Sequence, residues 1–155
     1  MLPPPLRTER AKLDDFYAAR SGAIPPLPWQ TCPPPFSLPP GRRSSYPHAE
    51  SHEEEFVYAL EGTPDVWLDG TLYRLKPGDA VGFPPGTGQS HTFINNSDAE
   101  IRLLVVGQTP LPENRIIYPR NPERRPMRKD WWDDAPERPD GGHDGLPDEV
   151  RAKRK

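Results

Sequence analysis

Residues 47–62 read PHAESHEEEFVYALEG, and residues 78–96 read GDAVGFPPGTGQSHTFINN. The first stretch turns from a polar run into an apolar strand over residues 56–60, and the second ends in another over residues 91–94. His48 and Glu50 stand at i and i+2, so both project from one face of an extended segment. Glu55 follows a short polar run, and His91 belongs to a later strand. A small β-barrel converges four such side chains at one point, which a single helix does not. Two imidazoles and two carboxylates aimed at one point form a donor set for a divalent metal.

Working outward, residues 65–68 form a second strand after Gly62. The Asp69-Gly70 pair favours positive φ in a tight hairpin, so residues 71–75 should pair back on residues 66–68. Leu75-Lys76-Pro77-Gly78 marks a turn before a strand over residues 80–83, and residues 101–106 supply another after the turn-rich run 95–98. Short strands at this spacing predict an all-β sandwich or barrel.

These residues resemble the two motifs of the cupin superfamily. The first motif is matched by Gly41, His48, Glu50, Glu55 and Gly62, with six residues rather than five before His48 and with Glu50 in place of the second histidine. The second is matched by Gly78, Pro84, Gly86, His91 and Asn95, with two extra residues before His91. Residues 63–77 between the motifs are as short as in compact bacterial members. The resemblance spans about residues 41–106 and is to the small single-domain subgroup. It implies a conical β-barrel (a double-stranded β-helix, or jelly roll), a divalent metal on His48, Glu50, Glu55 and His91, a small-molecule pocket and a homodimer. Related cupins include dioxygenases, isomerases, epimerases and decarboxylases, so the fold selects no reaction.

The chain has 155 residues, enough for one domain, but its 24 prolines and mean hydropathy of -0.86 put a sizeable fraction outside any packed core. The organisation expected is a Pro-rich arm over residues 1–40, a barrel core over 41–108 and a polar C-terminal extension over 109–155. Within the first arm, residues 8–20 permit a short helix with Thr8 as cap and Gly22 as stop. Residues 25–40 are too proline-dense for helix and should be extended or irregular, with any strand short and at an edge. The extension is polar yet carries Tyr118, Trp131 and Trp132, rings that seldom stay solvated, so it is expected to wrap the barrel or a partner subunit, the alternative on its composition being disorder.

A net charge of -3 gives no global attraction to nucleic acid or anionic membrane. The single cysteine, Cys32, excludes an intrachain disulfide framework. With no bilayer-length apolar run and no signal-peptide core at the N-terminus, a cytoplasmic protein is expected.

The donor types suit Mn, Fe, Ni, Zn or Co without choosing among them. Glu50 is either a fourth ligand or the catalytic acid/base. A bulge would let His52 replace Glu50; otherwise His52 is an exposed loop residue. His143, among turn formers, reads as a solvated loop residue. Tyr46, Tyr58, Trp67, Phe83 and Phe93 read as core or pocket lining, Arg42 and Arg43 as solvated or as a grip for an anionic group, and Gln89 as a supporting polar residue. Two function classes follow: a metal-dependent enzyme acting on a small polar or aromatic molecule, and a non-catalytic module that stores or senses one. A purely structural dimeric barrel is a third.

Overall fold

The structure is a computed structural model that describes residues 29–31, 35–108 and 110–154, the first three by backbone alone. The helix expected over residues 8–20 and Cys32 lie outside the described residues. The strands are β1 (Trp29–Thr31), β2 (Phe36–Leu38), β3 (Ala49–Glu50), β4 (Glu55–Glu61), β5 (Asp65–Leu68), β6 (Thr71–Arg74), β7 (Ala80–Phe83), β8 (His91–Ile94), β9 (Ile101–Gln108) and β10 (Ile116–Ile117). A 3-10 helix (Pro122–Met127) and a short α1 (Asp148–Ala152) complete the order. No helix among the described residues is long and apolar enough to cross a membrane.

One antiparallel sheet runs β1-β9-β4-β7 with β2 also on β9, a second runs β6-β5-β8, and β3 pairs with β10. Single bridges at Arg43–Ile94 and His48–His91 lay residues 42–48 along the free side of β8. The architecture is all-β, as expected, though among the described residues no continuous ladder joins the sheets and the barrel is not closed. The two strands before residue 40 are each three residues long and pair at the edge of β9. That brevity is what dense proline allows, since each ring removes a ladder donor.

Alternation decides what faces inward. In β4, Val57 and Ala59 are buried and pack with Leu38, Val66, Leu68, Phe93, Ile101 and Leu103 between the sheets. The β5–β6 hairpin turns at Asp69 (φ 44) and Gly70 (φ 86), the double positive φ that a two-residue hairpin matched to strand twist demands. All four residues of β5 are buried. Alternation explains Val66 and Leu68; Trp67 and Asp65 need a cover on the other face. Trp67 gets it from the C-terminal extension, whose His143 carbonyl accepts the indole N–H at 2.8 Å. Asp65 is held by Arg74 and by Asn96 Nδ2 at 2.9 Å.

The extension therefore packs on the barrel, burying Ile116, Tyr118 and Trp132. His143 corrects the solvated-loop reading: its side chain is only 12% exposed, and its Nδ1 accepts from Gly145 N at 3.0 Å. The loop is pinned because its backbone completes the hydrogen bonding of the hairpin turn, and no local pattern announces that.

Asn95 ties the ends of this framework together. Fully buried, it donates through Nδ2 to the carbonyls of Leu38 and Ala99, both at 2.8 Å, and accepts from Ser97 N at 3.0 Å. Asn95→Ala takes the side-chain donor from the Leu38 carbonyl and the acceptor from the Ser97 amide, while the Ala99 carbonyl keeps Ser97 Oγ at 3.0 Å. The expected cost is about 2–4 kcal/mol in urea unfolding, and a loss below about 1 kcal/mol would contradict the role.

Candidate metal centre

The register places three of the four expected side chains. His48 stands opposite His91, and His91 opposite Leu68, so all three project from one face; Leu68 belongs to the core, and that face is the interior. On the other sheet Glu55 stands opposite Phe83, which is also core. Phe83 then crosses the interior and stacks on His91, with ring centroids 3.6 Å apart and planes 10° from parallel. Glu55 is thereby delivered to the imidazole across the gap between the sheets.

His48 Nδ1 lies 2.9 Å from the Tyr46 carbonyl. A carbonyl only accepts, so Nδ1 carries the proton and Nε2 keeps the lone pair. The His48 and His91 rings lie 4.8 Å apart. His91 is 4% exposed, and neither of its ring nitrogens has a hydrogen-bond partner. Glu55 Oε1 approaches His91 Nε2 to 3.5 Å. Glu50, Glu55 and His91 line one small cavity of about 10 Å³ with Phe83, Thr87 and Gln89, room for a single water or ion. Gln89 thus reaches the site. His52 is exposed, its Nδ1 2.7 Å from Ser51 Oγ, and it does not line the cavity.

Electrostatics divide the groups. Burial, reinforced by the neighbouring His91, lowers the His48 pKa to about 4, so the ring is neutral. Burial works against ionisation of Glu55, but contact with His91 prevails and holds it below the usual carboxylate range. Burial, with Glu53 and Glu55 nearby, pushes Glu50 up to about 7.

In metal-free protein these two shifts oppose each other. The folded state binds a proton at Glu50 more tightly than the unfolded chain from pH 4.5 to about 7, so stability falls as pH rises through that window. At His48 the folded state binds fewer protons between about 4 and 6.5, so stability rises there. Glu50→Gln removes only the falling limb. The metal-free variant should gain on wild type between about pH 5 and 8, by roughly 1–3 kcal/mol in thermal or urea unfolding. Parallel pH curves for the two proteins would refute this.

The residues fit a divalent ion in donor chemistry: a tautomer-fixed imidazole with a free Nε2, a buried imidazole lacking partners, and two carboxylates. As placed, the donors are gathered but not converged, since among the described residues no three His, Cys, Asp or Glu side chains form a group able to hold an ion.

The extension supplies residues around this site that sequence reading did not assign to it. Asn114 Oδ1 accepts from the backbone N–H of His52 at 3.0 Å and so fixes the turn between β3 and β4. Tyr118 lies 5.9 Å from the His48 ring. A separate cavity of about 260 Å³ lies between the extension and β5, lined by Trp67, Asp69, Ile117, Arg120, Pro136 and Arg138 among others.

With this geometry in view, comparison with known proteins is specific. Residues 36–107 match the family model described as Cupin domain. Residues 36–107 form a cupin domain. The domain is 35% identical to a cupin-superfamily sugar phosphate isomerase from Silicibacter pomeroyi, with a TM-score of 0.51, covering 53% of this chain and 52% of that one. A structure from Acidithiobacillus ferrooxidans is 34% identical, with a TM-score of 0.51, covering 54% of this chain and 52% of the other. In sequence, 65 residues are 37% identical to the polyketide synthase CurC of Streptomyces cyaneus, covering 42% of this chain and 40% of that protein. The chain thus spans about half the length of the structures, and less of CurC.

Proposed function

We propose that this cupin is a metal-dependent enzyme acting on a small organic molecule. The observation that carries the reading is the pairing of His48, its Nε2 left free, with His91, buried and without partners, beside the Glu55 carboxylate. A buried imidazole whose nitrogens make no hydrogen bond, with a carboxylate no closer than 3.5 Å, is costly unless something supplies a closer partner. His48, Glu55 and His91 would hold the ion, with Glu50 as fourth ligand or acid/base. The chemistry such an ion supplies when bound is Lewis acidity or, for a redox-active metal, oxygen activation. Phe83 covers one face of the His91 ring, and Glu50 is placed to hold or move a proton at its carboxylate. Among dioxygenase, decarboxylase and isomerase or epimerase chemistry, similarity to the Silicibacter pomeroyi isomerase supports the last.

The direct test is elemental mass spectrometry on the untagged full chain, before and after reconstitution with Mn, Fe, Co, Ni and Zn. Near-stoichiometric uptake of one of them supports the reading; no uptake of any sinks it. A binding or sensing module is the second reading, favoured by the 260 Å³ cavity lying apart from the donors. Small-molecule binding there that survives chelation would support it over the enzyme.

A further inference from the structure

We propose that Arg43 and Arg124, gathered on the ring of Tyr46, form an oxyanion-binding subsite beside His48 that takes the carboxylate or phosphate of a small organic molecule. Arg43 is fixed by the bridge of its backbone to Ile94, and its guanidinium carbon lies 4.6 Å from the Tyr46 ring centroid. Arg124 comes from the 3-10 helix Pro122–Met127, and its guanidinium carbon lies 4.4 Å from the Tyr46 ring and 5.3 Å from that of Tyr118. Tyr118 is buried and meets Tyr46 edge-on, so one ring of the cradle is anchored while Tyr46 stays 39% exposed. Cation–π attraction accounts for how the two arginines are held. It does not account for their charge.

The neighbouring arginines are each compensated. Arg120 pairs with Asp140, Arg125 with Asp133 and Arg128 with Asp130. Arg124, in the same stretch, makes no ion pair among the described residues, its charge reaching only the exposed carboxylate of the adjacent Glu123, and its buried Nε has no hydrogen-bond acceptor. Among the described residues Arg43 donates only to the uncharged carbonyl of Gly145, at 3.0 Å, and the nearby Asp144 is engaged by Arg151 at 3.2 Å. Two cations on one aromatic ring repel each other and leave forked donors unused. An oxyanion satisfies both conditions at once. It also lies at the metal centre's edge, because the carbonyl of Tyr46 is the group that fixes His48. The inference rests on the proposed function only in taking the bound molecule to be the one that reaches His48.

The test uses chelator-treated full-length protein, with inorganic phosphate and acetate as probes in isothermal titration calorimetry. Saturable phosphate or acetate binding is expected, weakened at least about tenfold by Arg124→Ala and by Arg43→Gln and unchanged by Arg102→Gln, which removes an exposed arginine already paired with Glu61. Tighter phosphate assigns a phosphorylated molecule and tighter acetate a carboxylate. Circular dichroism checks folding, and the Arg43 variant stands in if Arg124→Ala unfolds. No saturable binding of either anion, or equal binding in a folded arginine variant, overturns the subsite. Since the assay is metal-free, anion binding in a chain that takes up no metal would keep the subsite and sink only the enzyme reading.

Discussion

Replacing His48 and His91 together with alanine should abolish stoichiometric binding of the divalent ion while leaving the barrel folded. The two rings come from opposed backbone positions on one interior face, so together they remove both neutral donors and leave only Glu50 and Glu55. Loss of a residue that merely orients a ligand commonly lowers metal affinity about 10- to 100-fold, and loss of two ligands should exceed about 100-fold. The fold should survive because neither ring is a member of the apolar core cluster. Elemental analysis after reconstitution, with circular dichroism alongside, reads both outcomes. Metal retained at wild-type stoichiometry in the double variant would place the ion elsewhere. Single variants add resolution: His48→Ala removes a ring fixed by Tyr46, whereas His91→Ala also removes the partner of Phe83 and should cost more stability.

The second large effect concerns two adjacent glycines. A Cβ on Gly141 would stand 2.5 Å from the Gly70 carbonyl oxygen and 2.6 Å from its carbon, backbone atoms that cannot turn aside. At Gly142 a Cβ meets nothing within 4 Å, and the only obstacle is its φ of +88. Gly142→Ala should therefore cost about 1–2 kcal/mol, the ordinary penalty of left-handed backbone. Gly141→Ala should cost about 2–4 kcal/mol, because the extension must lift from the hairpin. Lifting breaks Gly141 N to Asp69 O at 2.7 Å and His143 N to Gly70 O at 3.0 Å, and strips the Trp67 indole of its acceptor. Urea unfolding, Trp fluorescence and limited proteolysis of the extension should all register the difference. Equal losses in the two variants would show that close packing on the hairpin is not what holds the extension.

Much of the barrel is legible in the chain because its signals are local. Asp69-Gly70 announces its own turn, and residues 65–68, 80–83 and 91–94 are strands where alternation and flanking turn residues put them. His48 and Glu50 stand two apart in the sequence, but of the two only Glu50 lines the small cavity with Glu55 and His91. What escapes is whatever depends on chain folded back from far away. The burial of His143 is set by a hairpin some seventy positions earlier. Arg124 reads as one charge in a polar, proline-rich run, and only the 3-10 helix brings it onto Tyr46. The one available hint was aromatic: Tyr118 and Trp132, costly to leave in water, are both buried.

The stack of Phe83 on His91 makes the candidate metal centre a caliper. One jaw belongs to the β4–β7 sheet and the other to β8, so the gap between Glu55 and the imidazoles is the gap between the sheets. Whatever thins or swells the core, at Leu103 for instance, must change that gap before it touches a donor. Metal affinity in this protein should accordingly register packing far from the site, and a weakened ion in some core variant need not implicate any ligand.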